Sequence, residues 1–266
     1  MTEKILEKLT LEVCELVKET GKFLASEINL LNMNDIESKG LHDFVTRVDK
    51  ASEKMLITGL RKILPDAGFI AEESPGLKPN ERYNWIIDPL DGTTNYIHGI
   101  PLFSISIGLT KGREIIAGVV YEINSNECFY AWEGSPAFLN GKMISVSQRA
   151  EINQGLFATG FPYHDFSKLD PYLGFFKYLI QQSHGVRRLG SAAVDLAWVA
   201  CGRFEGFYEY GLNPWDVAAG AIIVQQAGGK VSDFSGNRNY LFGKEIVATN
   251  GFVHNNFMDA LKVFFA

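Results

Sequence analysis

Residues 84–99, Asn-Trp-Ile-Ile-Asp-Pro-Leu-Asp-Gly-Thr-Thr-Asn-Tyr-Ile-His-Gly, constrain this chain more than any other stretch. An apolar run, Trp85-Ile86-Ile87, delivers the backbone into two carboxylates three residues apart, Asp88 and Asp91, with Pro89 between them. Proline has no N–H to donate to a sheet, and the small, hydroxyl-bearing Gly92-Thr93-Thr94 follows at once. Two acids that repel each other have little structural reason to end a strand. A hard divalent cation supplies one, because carboxylate and carbonyl oxygens are the ligands Mg²⁺ takes. The segment points to metal-assisted chemistry on a phosphate.

Three further places set acids at the ends of apolar or periodic segments: Asp49 at a helix start, Glu72 after the short strand Gly68–Ala71, and Asp216 after Trp215. A site for two or three Mg²⁺ ions needs about this many carboxylates, completed by carbonyls, waters and phosphate oxygens. Taken singly, Asp49 also reads as a helix N-cap and Asp216 as an acid favoured by the dipole of its helix. Gly92-Thr93-Thr94 reads as a turn opening a short helix with free N–H groups for an anion, or as ordinary hydroxyl-turn residues. The Asp88/Asp91 pair is the hardest to explain without a metal.

At 266 residues and 46% hydrophobic content, the chain can bury a large core, as one big domain or two intimate halves. A formal charge of −6 argues against a nucleic-acid surface, which would need a basic stripe. Cys14, Cys128 and Cys201 are scattered without Cys-x-x-Cys spacing, which suits a reducing cytosol and no zinc ribbon. Met1–Lys22 mixes Glu, Lys and Leu as no signal peptide does, and no apolar run is long enough to span a bilayer. The expected location is the cytoplasm.

Apolar residues from Ile5 to Ile28 recur at steps of three and four, predicting a long amphipathic N-terminal helix. Asn32–Asp43 reads as a polar loop, and a second helix is expected from about Asp49 to Leu64, stopped by Pro65. Strand-like runs follow at 102–110, 115–121, 127–132 and near Ala137, implying an antiparallel or mixed sheet in the first half. The second half alternates: helices at 170–182, 191–201, 214–227 and 253–265, and strands at 204–210 and 245–249.

Trp85-Ile-Ile-Asp-Pro-Leu-Asp-Gly-Thr-Thr-Asn95 resembles the first signature of the inositol monophosphatase family. Asn213-Pro-Trp-Asp-Val-Ala-Ala-Gly220 with Gln226-Ala-Gly-Gly229 resembles the second, and Asp43–Asp49 and Phe69–Ser74 match two further blocks in the expected order. The resemblance spans nearly the whole chain and is nearest to the bacterial inositol-1-monophosphatase type, given Arg188–Ala193 and Tyr208–Leu212. It implies an α+β fold of the sugar-phosphatase kind, layered α-β-α-β-α. That is a single domain over 1–266, with most metal ligands in 1–145 and Asp216 and the substrate wall in 146–266. It also implies Mg²⁺-dependent hydrolysis of a phosphomonoester, myo-inositol 1-phosphate first, with lithium inhibition and a homodimer.

By the resemblance, Glu72, Asp88 and the Leu90 carbonyl hold a first metal; Asp88, Asp91 and Asp216 hold a second; a weaker third leans on Glu72. Thr93 with Asp49 activates the water, and Gly92, Thr93 and Thr94 cradle the phosphate. Gly190, Ser191, Ala192 and Glu209 face the alcohol, with Glu209 accepting hydrogen bonds from ring hydroxyls, and Lys39 lies over the metals. Arg188 would support the substrate helix or a subunit contact, and Phe161-Pro-Tyr163 a subunit contact or the site rim. His98 and His164 read as structural. Relatives cleave 3′-phosphoadenosine 5′-phosphate or fructose 1,6-bisphosphate, and a non-enzymatic alternative is a regulatory partner of the transcription machinery.

Overall fold

The structure, a computed structural model, describes residues 1–31, 36–40 and 43–265. Two helices, α1 (Glu3–Glu27) and α2 (Arg47–Ile63), bury an apolar stripe and expose Glu and Lys. Between them lies a short antiparallel hairpin, β1 (Ile36–Gly40) and β2 (Asp43–Thr46). The polar segment read as a loop therefore contains strands at 36–40 and from 43 onward; residues 32–35 and 41–42 lie outside the described residues. Polar composition hides such a hairpin because no face of it is marked by alternating apolar residues.

The stripes of α1 and α2 pack on one face of a seven-stranded sheet. Its strands, in spatial and chain order, are β3 (Gly68–Ala71), β4 (Tyr83–Asp91), β5 (Ser104–Lys111), β6 (Glu114–Glu122), β7 (Glu127–Trp132), β8 (Ala137–Leu139) and β9 (Lys142–Ile144). Only β3 and β4 run parallel; every later pair is antiparallel. A second sheet of five strands has the order β11 (Gly185–Arg187), β10 (Leu156–Thr159), β12 (Gly206–Tyr210), β14 (Glu245–Thr249), β13 (Lys230–Ser232).

Between the two sheets lie α5 (Ala192–Ala200) and α6 (Pro214–Gln226), and outside the second sheet lie α4 (Leu169–Gln182) and α7 (His254–Phe265). The layers run α-β-α-β-α. Burial explains the composition of each layer. The outer helices have one apolar face, whereas α6 is buried continuously from Val217 to Val224 and is apolar all round. β5 is likewise buried on both faces, since it has helices above and below.

Glycines let α6 sit close to the first sheet. Gly108 and Gly118 face each other across β5 and β6. A methyl group on Gly108 would lie 2.8 Å from Ala218 Cβ, and one on Gly118 2.7 Å from the Ala219 carbonyl oxygen. On the opposite side, Gly220 meets α5, where an added Cβ would stand 2.4 Å from Leu196 Cβ. The N-terminus of α6, which carries Asp216, is thereby held against the end of β4.

Candidate active site

β4 does not stop at Asp88. It continues to Asp91 through a bulge in which Asp88 faces Ser106 and Asp91 faces Ser104, three steps on one strand against two on its partner. In a regular strand residues three apart point to opposite faces. The extra residue restores the parity, so both carboxylates line one cavity. Pro89 stands inside the bulge, where its missing N–H costs no ladder bond. The Leu90 N–H turns back to Asp88 Oδ1 at 3.0 Å, and the Leu90 carbonyl lines the cavity while accepting the Thr93 hydroxyl at 3.0 Å.

Other elements deliver the remaining acids. Glu72 follows β3, which pairs in parallel with β4 so that Ala71 lies beside Ile87; the Glu72 N–H donates to the Ile87 carbonyl. Asp216 is the third residue of α6, and its Oδ2 accepts the Asn213 N–H at 2.6 Å. Asp49 does the same for α2: Thr46, not Asp49, is the N-cap, and Asp49 Oδ2 accepts both the N–H and the hydroxyl of Thr46. The cap expected at Asp49 thus moves three residues upstream. In each helix one oxygen closes the first turn, and for Asp49 the other, Oδ1, accepts the Thr93 hydroxyl at 3.1 Å.

Glu72, Asp88, Leu90, Asp91, Gly92, Thr93, Thr94, Gly190, Ser191, Ala192, Glu209 and Asp216 therefore converge on one cavity of about 150 Å³. Asp49 stands behind Thr93. Lys39 falls in β1, but its side chain lies outside the described residues. His98 is exposed and away from the cavity, whereas His164, Phe161, Tyr163 and Arg188 form its rim. The rim is one of the two places expected for Phe161 and Tyr163, the other being a subunit contact, and His164 lies with them. Ser191 is 1% exposed, and its hydroxyl donates to Asp91 at 2.6 Å, so it holds a carboxylate more directly than it faces an alcohol. The Ala193 N–H reaches the same Asp91 oxygen at 2.8 Å.

Two further residues of the site receive no role from the sequence. Asp195 lies in a helix that reads simply as Ala-rich, one turn after Ser191; spacing of four from a cavity residue is the only hint. Asn95 donates to the carbonyls of Leu102 and Leu189, both at 2.8 Å, and so ties the turn after β4 to the start of α5. Gly92, with φ 97°, caps the five-residue α3 (Thr93–Ile97), whose first N–H groups have no acceptor within the helix; Gly92, Thr93 and Thr94 line the cavity.

The electrostatics fit a cation. Burial, then Glu72, Asp91 and Asp216, hold Asp88 well above the ordinary carboxylate range; burial and Asp91 do the same to Asp216. Burial pushes Asp91 up to about 6, even though Ser191 and the α5 amides oppose it. Burial also raises Asp49 against the hydrogen bonds from Thr46 and Thr93. Among the described residues Asp88, Asp91 and Asp216 form no ion pair. Buried, mutually repelling carboxylates with an adjacent free carbonyl lone pair are the donor set of a hard dication. Among the described residues no three acidic, His or Cys side chains close into a ready-made cage, so carbonyl, phosphate and water oxygens would have to complete the shell.

The sign of the pH effect follows. A carboxylate raised above its unfolded value of 3.8 leaves the folded state binding more protons than the unfolded one between the two values. Without metal, stability contributed by Asp91 is present at low pH and lost as pH rises through about 6; Asp88 and Asp216 extend the loss upward. A dication reverses the loss by pairing the ionised forms. At a hundred times its dissociation constant Mg²⁺ should add about 2.7 kcal/mol, raising the melting temperature on the order of 5 °C. The increment should be larger at pH 8 than at pH 5.5; thermal unfolding scans at both values check it, and equal increments would contradict the assignment.

Fold and cavity together define an acid-rich, layered phosphatase scaffold. The profile of the inositol monophosphatase family matches residues 5–262, and the chain belongs to that family. It is 42% identical over 238 residues to the Nus factor SuhB of Pseudomonas aeruginosa, covering 88% of each chain. It is 36% identical over 245 residues to an inositol-1-monophosphatase of Mesorhizobium japonicum, covering 92% of each. Among solved structures, the IMPase of Thermotoga maritima superposes with a TM-score of 0.87 at 36% identity, over 95% of this chain and 96% of that one.

Proposed function

We propose that the chain is a Mg²⁺-dependent phosphomonoesterase whose first substrate is myo-inositol 1-phosphate, released as myo-inositol and orthophosphate. The single observation that carries this reading is the convergence of Glu72, Asp88, Asp91 and Asp216, from the end of β3, the bulge of β4 and the start of α6, beside the Thr93–Asp49 hydrogen bond. Glu72, Asp88 and the Leu90 carbonyl would hold one Mg²⁺, Asp88, Asp91 and Asp216 a second, and Glu72 a weaker third. Bound there, the ions would acidify water and neutralise phosphate charge.

The chain's own residues supply the geometry. Thr93 directs its proton to Asp49 Oδ1 and the Leu90 carbonyl, which leaves its lone pairs free to accept from the attacking water. Asp49, anchored through Oδ2 to the cap of α2, fixes that hydroxyl and can accept a proton relayed through it. The N–H groups of Gly92, Thr93 and Thr94 would bind phosphate oxygens. Gly190, Ser191, Ala192 and Glu209 would border the alcohol, with Ser191 acting chiefly through Asp91. Lys39 would lie over the metals. The halves 1–145 and 146–266 would act as one unit, because Asp216 must reach the β4 bulge. A homodimer is expected, with exposed Phe161 and Phe166 near the contact.

Identity to a protein named Nus factor SuhB favours a second reading, a regulatory partner of the transcription machinery. Phosphate release from myo-inositol 1-phosphate, 3′-phosphoadenosine 5′-phosphate and fructose 1,6-bisphosphate, with Mg²⁺, chelator or Li⁺, tests the enzyme. The inositol ester should turn over fastest, chelation should abolish turnover and Li⁺ should inhibit it. No release from any of the three esters would leave only the binding role.

A further inference from the structure

Asp195 is a buried acid that the proposed hydrolysis does not use. It lies in the first turn of α5, is 1% exposed and borders the cavity. Its Oδ1 has no hydrogen-bond partner, and among the described residues it forms no ion pair. The charged groups that face it are Glu209, Asp91 and Arg188. Two of these repel it. The third, Arg188, gives Nη2 to the Tyr163 hydroxyl at 2.6 Å and lies over the Phe161 and Tyr163 rings.

A helix-dipole role does not account for this placement. An acid in a first turn gains little from the dipole, less than a buried carboxylate oxygen loses when no donor reaches it. A buried acceptor of this kind is explained by a donor that arrives with a ligand. Glu209, from β12, is 7% exposed and also borders the cavity. Gly160 leaves room for its carboxylate, since an added Cβ would stand 2.0 Å from Glu209 Oε2.

We infer that Asp195 is a specificity-determining residue which, with Glu209, accepts hydrogen bonds from the hydroxyls of a polyhydroxylated ring alcohol in the leaving half of the substrate. This rests on the phosphomonoesterase reading above, in which Glu209 already borders the alcohol, and adds Asp195 as a second acceptor for its hydroxyls. A polyol suits two neighbouring carboxylates because it brings several donors and no negative charge; an alcohol without further hydroxyls leaves both acids unsatisfied.

The test compares kcat/KM for myo-inositol 1-phosphate with that for p-nitrophenyl phosphate, which has no ring hydroxyls, in the wild type and in Asp195→Leu. The ratio should fall roughly ten-fold or more, as for loss of a hydrogen bond to a charged group, chiefly through KM for the inositol ester. Mg²⁺ activation and p-nitrophenyl phosphate turnover should hold, and the melting temperature should stay level or rise, because an unpaired buried charge has gone. An unchanged ratio overturns the inference, as does an equal loss on both esters with a lower melting temperature. Should Asp195→Leu not fold, Asp195→Asn is expected to shift the ratio in the same direction by less. If the wild type cleaves neither ester, the hydrolase reading fails separately. Calorimetric titration of myo-inositol 1-phosphate into the Mg²⁺-loaded protein then decides: weakened binding in the variant supports Asp195, and equal or absent binding overturns it.

Discussion

Asp88→Asn is expected to cut phosphate release on the order of a thousand-fold while leaving the protein folded. A metal-supplied charge at the reacting phosphate is worth several kcal/mol, and about 4 kcal/mol corresponds to three decades of rate. Asp88 faces Glu72, Asp91 and Asp216, so its loss weakens both proposed ion positions together. Asn keeps the volume and the acceptor for the Leu90 N–H, so the bulge survives. Stability of the metal-free chain should rise, because one of four mutually repelling groups is neutralised, and the Mg²⁺-induced rise in melting temperature should shrink. Steady-state kinetics across a Mg²⁺ series, paired with unfolding scans, reads both effects. Wild-type turnover with unchanged Mg²⁺ dependence would end the metal assignment.

Gly118→Val should be the most damaging single change away from the acids. Its Cβ alone would come within 2.8 Å of the Ala219 oxygen, Ala219 Cα and Ile222 Cγ2, and two of those atoms are backbone or bonded to it. α6 has nowhere to retreat, since Gly220 already touches Leu196 on the other side. Overpacking with no room to relax costs about 3 kcal/mol or more, which for a chain of this length lowers the melting temperature by roughly 6–12 °C. Any shift of α6 that relieves the clash carries Asp216 with it, so Mg²⁺ stabilisation should fall as well. Gly76→Val is the control: nothing lies within 4 Å of its added Cβ, and it should be near neutral. If the two variants melt alike, the close seating of α6 is not what holds Asp216 in place.

Much of the site was legible because its chemistry is local in sequence. Asp88-Pro89-Leu90-Asp91 is a conflict between charge and strand that a bound cation would resolve, and Asp49, Glu72 and Asp216 each mark the end of an element. The long helices were equally plain, since α1, α2 and α7 each show one apolar stripe to one layer. The short strands β10, β11 and β13 went unread: three or four residues cannot display a period, and their pairing partners lie far along the chain. The N-cap of α2 was misplaced because Thr46 and Asp49 cap the same turn from both sides, and either alone satisfies the local pattern.

Family membership, the order of elements and the identity of the acids follow from the sequence by itself, because each depends on neighbours within a few positions. Three things needed the folded chain. The bulge that turns Asp88 and Asp91 to one side exists only in register with β5. The approach of Asp216 depends on glycines some hundred positions from it, at 108 and 118. The Asp195 carboxylate becomes informative only in the folded chain, where its buried Oδ1 is seen to receive no hydrogen bond. A local pattern specifies which groups can bind a cation or a hydroxyl; convergence and missing partners are properties of three-dimensional packing, where residues distant along the chain share one small volume.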